Sequence, residues 1–360
     1  MTHSILRFKS FKSSLLWIFL LAIAVFAACS KDSNPTPIPV DKTALQDSIN
    51  AAQSLHDGTV EGTKPGQYVV GSKATLQTAI DAANAVLADP NSTQSEVTSA
   101  TANLSAAMNT YRAQLISEIS AANLMGFWKM NGNTSDSSGN ARDGTITTGH
   151  PYFGAGTPTL IADRFGRANM CYHFDMGGNI DVPYDIALNP QQMTISLWSK
   201  KQILGRTLNT DSYYLVAMNR WNGYKLQYQS ANKIFFTVKG ASGTDTSYYD
   251  RDDEVAVLDN DVWYHVVVTF TAGEMDFYIN GDLVKSWTNT PFPPVTQTSP
   301  VDFVIGQDLP TSDYSTDVND GNHYVNYGGY FTGDIDDVMF YNIALTGPQI
   351  KSIYENQKTL

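Results

Sequence analysis

The chain is poor in cysteine, in positive charge and in long apolar runs. Only Cys29 and Cys171 occur in 360 residues. Cys29 ends an apolar leader, so Cys171 has no partner in the chain and a disulfide framework is excluded. A lone cysteine this deep in a strand-rich segment reads as a small buried apolar residue. Lys and Arg total 23 against 35 Asp and Glu, a net charge of −12. That balance lacks the basic footprint that holds a phosphate backbone, so nucleic acid is excluded as a partner. The six His residues are scattered, with no HExxH or paired spacing, which argues against a zinc centre. There is no Gly-rich phosphate loop and no G-x-S-x-G elbow.

The long apolar run that does occur is N-terminal. Arg7, Lys9 and Lys12 precede Leu15 to Ala28, which is unbroken by charge. The run is shorter than the roughly 20 residues a spanning helix needs, and it ends in small residues. Residues 1–28 therefore read as a signal peptide. Phe26-Ala27-Ala28-Cys29-Ser30 resembles a lipobox, with Phe26 where Leu is usual. The resemblance implies cleavage before Cys29 and diacylation of its sulfur, which would tie the protein to a membrane. Each buried acyl methylene contributes about 0.8 kcal/mol, so several chains together hold firmly. Residues 29–40 continue as a polar, Pro-rich stretch, read as an extended tether. Leader and tether resemble those of Bacteroidetes surface lipoproteins, which implies the bacterial outer membrane or cell surface.

Residues 41–121 carry three segments with apolar positions at helical spacing. Leu45, Ile49, Ala52 and Leu55 form one face. Leu76, Ile80, Ala83 and Leu87 form a second; Val97, Leu104, Met108, Tyr111 and Leu115 form a third. Thr93 with Glu96 is a capping box, and Asp89-Pro90 is a stop. An antiparallel three-helix bundle is expected. Gly71-Ser72-Lys73-Ala74-Thr75-Leu76, Ile80-Asp81-Ala82-Ala83 and the Val97…Leu104…Ala107 repeat resemble FIVAR modules of cell-surface proteins. That resemblance implies a spacer or attachment role.

From Leu124 the pattern changes to strands. Thr194 to Ser199 alternates, Trp263 to Phe270 is strongly β-prone, and Met275 to Ile279 runs into the hairpin pair Asn280-Gly281. Many short strands without helical crossovers predict an all-β antiparallel jelly-roll sandwich over 124–358, with one short helix near Thr346 to Glu355. The ordered series Phe127-Trp128, Asp136 to Asn140, Phe174 to Ile180, Trp263-Tyr264-His265, Tyr278 to Gly281 and Gly333 to Leu345 resembles laminin-G-like, concanavalin A-like domains. Met176 intervenes where the family reads Phe-Asp-Gly. The resemblance implies a carbohydrate- or protein-binding module, often with one bound calcium. Its calcium position implies Asp336 first, then Asp175 and Asp136; alternation places Asp334 and Asp336 on one face of the last strand, Ile335 and Asp337 on the other.

Glycan hydrolases of this fold need two carboxylates about 5–5.5 Å apart in the retaining mechanism. Glu274-Met275-Asp276-Phe277-Tyr278 has two alternating carboxylates and then Tyr278, an incomplete set, so no enzyme is read here. Asp250 to Glu254 reads as a solvated charged loop. The stretch from Asp313 to Tyr330 interleaves Tyr314, His323, Tyr324, Asn326, Tyr327 and Tyr330 with Asp and Gly. Flat rings against sugar C–H groups, with amides for hydroxyls, make a glycan contact. Trp221 and Tyr224 are a second candidate pair. A glycan or polysaccharide is the expected ligand; a structural or adhesive protein is the alternative.

The leader generates one prediction. Cys29→Ala should move the protein from the membrane fraction to the soluble fraction, and the wild type should carry an acyl mass. Retention of Cys29→Ala in the membrane, with no acyl mass on the wild type, would overturn it.

Overall fold

The computed structural model describes residues 39–203, 213–254 and 257–359. The leader, Cys29 and most of the tether lie outside the described residues. Among the described residues no helix is long and apolar enough to cross a membrane.

Three helices come first: α1 (Thr43–Asp57), α2 (Ser72–Ala88) and α3 (Gln94–Arg112). Their shared core is Leu45, Ile49, Leu76, Ile80, Val97 and Leu104, all buried. Both halves of the Thr93–Glu96 capping box form, and α2 ends at Ala88 as Asp89-Pro90 dictates. α3 stops at Arg112, so Leu115 does not extend its apolar face. Leu115 instead bridges Tyr68 beside a two-residue parallel pair, β1 (Glu61–Gly62) and β2 (Tyr68–Val69).

The sandwich has two antiparallel sheets. One contains β4 (Thr145–Thr147), β7 (Asn179–Val182), β9 (Tyr213–Met218), β10 (Tyr224–Gln229), β11 (Lys233–Ser242), β12 (Asp245–Asp252) and β16 (Phe303–Ile305). Its order is β12-β11-β10-β9-β16-β7-β4. The other contains β3 (Leu124–Trp128), β5 (Thr159–Ile161), β6 (Cys171–Phe174), β8 (Met193–Lys201), β13 (Tyr264–Thr271), β14 (Glu274–Ile279), β15 (Asp282–Trp287) and β17 (Gly333–Tyr341). Its order is β15-β14-β13-β8-β17-β6-β5, with β3 also on β17. The charged run from Asp250 is thus not a loop at its start: Asp250 to Asp252 belong to β12. At the β14–β15 turn, Asn280 and Gly281 both take positive φ (52° and 79°), as a two-residue hairpin requires.

Between the sheets, Trp128 stacks on Phe303 at 5.4 Å, Phe303 meets Phe340 at 6.0 Å, and Tyr224 meets Phe340 at 5.8 Å. Each fully buried ring of this kind contributes about 1.5–3 kcal/mol relative to exposure. The outer face of the eight-stranded sheet is also covered. The last helix, α4 (Gly347–Gln357), capped by Thr346 with Gln349, lays Ile350 onto Val267, Tyr278, Met339 and Tyr341. The same helix meets the helical module: Ser352 and Asn356 donate to the Thr63 carbonyl at 2.6 and 3.2 Å.

The outer face of β17 explains its acidic run. Ile335 faces the sandwich core; the register breaks between Asp336 and Met339, where Asp337 takes φ 47°. Alternation therefore fails at that point, and Asp336 and Asp337 both reach Arg164, at 2.5 and 2.8 Å. Arg164 lies over Trp198 at 4.5 Å and donates to the Gln357 carbonyl. Two buried carboxylates share one guanidinium. Burial, then the neighbouring Asp337 charge, raises the Asp336 carboxyl from 3.8 to about 8.

A raised acid binds more protons when folded than when unfolded, so its contribution to stability is full below pH 4 and is lost as pH rises toward 8. Asp336→Asn cannot ionise, and Asp337 still holds Arg164. Denaturant midpoints should show Asp336→Asn gaining on wild type between pH 5 and pH 8. A difference independent of pH would refute this.

Candidate functional site

The chain leaves β9 through two left-handed residues, Asn219 and Arg220 (φ 60° and 49°), into a short 3-10 turn, Arg220–Asn222. The Arg220 guanidinium is completely buried and pairs with an equally buried Asp308 at 2.6 Å. Arg220 also donates to the carbonyls of Asn322 and Tyr324 at 3.2 and 3.1 Å. The other Asp308 oxygen accepts from the Tyr314 hydroxyl and from the Gly329 amide. Burial, then the Asp308 charge, raises the Tyr314 phenol well above 10, so it remains a donor. Gly328 is needed where it stands: a Cβ there would lie 2.4 Å from the Tyr314 ring and 2.5 Å from the Arg220 guanidinium. One buried ion pair thus ties both ends of the 313–330 loop to the sheet.

This pinning brings the two sequence candidates together. The Trp221 and Tyr327 rings lie 6.0 Å apart, and Tyr324 meets Tyr327 edge-on at 5.3 Å. Tyr327 is half exposed, and exposed Asn326 donates to the Tyr324 hydroxyl at 2.8 Å. His323 turns along the loop to Asp320, at 3.0 Å. Three candidates are structural instead. Tyr224 is fully buried in the core, its hydroxyl on the Leu188 carbonyl. Tyr330 is buried against Phe153. Tyr314 spends its hydroxyl on Asp308 and packs its ring on His150 and Phe153.

Beside Trp221, the outer face of the seven-stranded sheet forms an open groove of about 550 Å³. Trp221, Lys225, Gln227, Gln229, Phe235, Tyr248 and Asp250 line it. Except for Trp221, sequence reasoning missed these residues. The signal was present: in β10, Tyr224, Leu226 and Tyr228 join the core, so Lys225, Gln227 and Gln229 must face outward. The Thr237 hydroxyl orients Asp250 at 2.7 Å. Amides, a carboxylate and an ammonium ring a floor bounded by Trp221, Phe235 and Tyr248, which is the donor-and-ring mixture that grips a polyhydroxylated ring.

The groove holds one carboxylate. Glu274 and Asp276 lie on β14 in the other sheet, where Asp276 accepts from Tyr278. The three residues expected at a calcium ion lie apart on the sandwich and each has protein partners. Asp336 pairs with Arg164. Asp136 accepts from the amides of Phe127, Ser138 and Arg142, which lower its pKa against burial. Asp175 bonds the Met176 amide and the Thr332 hydroxyl.

The described chain is thus a small helical bundle followed by a two-sheet antiparallel sandwich. Comparison with known proteins identifies both parts. Residues 41–111 form a FIVAR domain, and residues 174–351 form a domain of the concanavalin A-like lectin/glucanases superfamily. The sandwich itself begins earlier, at β3. A gellan lyase from Bacillus sp is 42% identical over 79 residues, 22% of this chain and 3% of that protein. A surface-layer 125 kDa protein from Lysinibacillus sphaericus is 38% identical over 80 residues, again 22% of this chain and 7% of that protein. Among solved structures, domain 4 of AbnA, an extracellular arabinanase from Geobacillus stearothermophilus in complex with arabinotriose, matches at 21% identity and TM-score 0.46. It covers 64% of this chain and 98% of that one. The binding domain of Paraclostridial Mosquitocidal Protein 1 matches at 16% identity and TM-score 0.43, covering 66% and 53%.

The ion pair can be tested directly. Asp308→Ala leaves the Arg220 charge buried and unpaired, so unfolding free energy should fall by about 3–5 kcal/mol. Denaturant unfolding measures it; a loss under about 1 kcal/mol would show that the pair does not pin the loop.

Proposed function

We propose that this protein is a glycan-binding module of the bacterial cell surface, held there by lipid on Cys29, with the FIVAR domain as its spacer. The groove on the seven-stranded sheet carries the reading: it sets partly exposed rings beside amides and a carboxylate. The superfamily of the sandwich, lectins and glucanases, supports it. Binding rather than cleavage fits a groove with a single carboxylate, since glycoside hydrolysis uses a pair. The lipobox-like Phe26-Ala27-Ala28-Cys29 supports the anchor. An adhesive role without a small ligand draws on the similarity to part of a surface-layer protein, and it predicts silence in the test below.

A glycan array probed with the full-length protein should give at least one hit. Single sugar sites of this kind bind in the millimolar-to-micromolar range, about −4 to −8 kcal/mol. Trp221→Ala and Tyr327→Ala should each weaken that hit about tenfold, near 1.4 kcal/mol, while shifting stability little because both rings are partly exposed. Wild-type affinity in both variants would remove the groove from the reading; an empty array would favour the adhesive one.

A further inference from the structure

Lys225 is the unusual member of the groove. Its side chain is buried, with the residue 8% exposed, yet no carboxylate among the described residues lies within ion-pair distance of its ammonium. Its one hydrogen bond is to the Gln227 side-chain oxygen at 2.5 Å. The rings of Tyr214 and Phe235 flank it at 5.2 and 5.5 Å. An ammonium has three donors, so this arrangement leaves a largely dehydrated cation with donors to spare on the wall of a groove. Asp308 and Asp250 favour the charge only from beyond contact distance, and cation–π contacts offset only part of the cost of desolvating it.

Resting on the glycan-binding reading, we propose that the groove selects an acidic sugar, a uronic acid unit whose carboxylate pairs with Lys225 while its ring lies against the aromatic wall. Asp250 sits elsewhere on the lining, its orientation set by Thr237, and accepts from sugar hydroxyls. Cation and carboxylate in one groove orient the unit, because the reversed pose would set carboxylate against carboxylate. The overall charge of −12 repels polyanions at long range, so the selectivity has to come from this local contact rather than from a general basic surface. Burial lowers the Lys225 pKa from 10.5 to about 8, consistent with a charge waiting for a partner; near neutral pH it stays mostly protonated.

The test compares a panel of uronic-acid oligosaccharides with their carboxyl-reduced counterparts, using full-length wild type and Lys225→Gln. At least one acid should bind wild type ten-fold or more tightly than its reduced form, and Lys225→Gln should lose that preference while keeping wild-type circular dichroism. A second variant, Lys225→Arg, keeps the positive charge and should keep the preference for the acid. Equal binding of acid and reduced forms, or hits confined to neutral glycans, would overturn the acidic preference and leave the glycan reading standing. A preference that survives in Lys225→Gln, or that is lost in a folded Lys225→Arg, would overturn the role of Lys225. No binding by any glycan would overturn both.

Discussion

The buried contact between Arg220 and Asp308 is the constraint from which the candidate site follows. Neither residue touches solvent, so the pair is held only if nearly every donor and acceptor finds a partner. The 313–330 loop provides those partners, two carbonyls for the guanidinium and one hydroxyl and one amide for the carboxylate. Satisfying the pair therefore folds the loop back over the sheet, and Tyr324 and Tyr327 arrive beside Trp221 as a consequence. Trp221 is positioned from the other side, because it follows Arg220 in the same left-handed turn and the guanidinium stacks on its ring at 4.8 Å. An aromatic cluster on a long loop would otherwise lose much ordering entropy on binding. Here the ordering is done by folding.

The sequence was most legible where local rules act alone. Caps, stops and the Asn280-Gly281 turn mark helix ends and a hairpin through contacts a few residues apart, and those features appear as read. The order of the strand motifs indicated a sandwich before any contact was known. Site residues were legible only in part, because exposure is a tertiary property. Within Trp221-Asn222-Gly223-Tyr224, both aromatics look equally available. The first strand residue points inward, so Tyr224 is core and Lys225, a residue with no aromatic appeal, faces the groove. Tyr314 and Tyr330 were hidden in the same way, by the Asp308 hub and by Phe153. Asp337, expected on the Ile335 face, was misplaced for a different reason. A strict two-residue alternation was extended through a register break that the sequence does not announce.

The two outer faces of the sandwich account for where binding can occur at all. On the eight-stranded sheet, β13 reads Val266-Val267-Val268 with all three buried, one face toward the core and the other beneath α4. Strands covered on both sides carry continuous apolar runs and have no surface to offer a ligand. The Arg164 cluster closes another part of that face around Trp198 and Gln357. On the seven-stranded sheet, β10 sends Tyr224, Leu226 and Tyr228 to the core and Lys225, Gln227 and Gln229 to the other side, with only Gln229 less than fully buried. The difference between an unbroken run of valines and the pattern Tyr-Lys-Leu-Gln-Tyr-Gln is thus a difference in what covers the strand. Coverage by α4 commits one face to packing, while the other carries the groove in which the nearly buried Lys225 and Gln227 stand beside the half-exposed Tyr248.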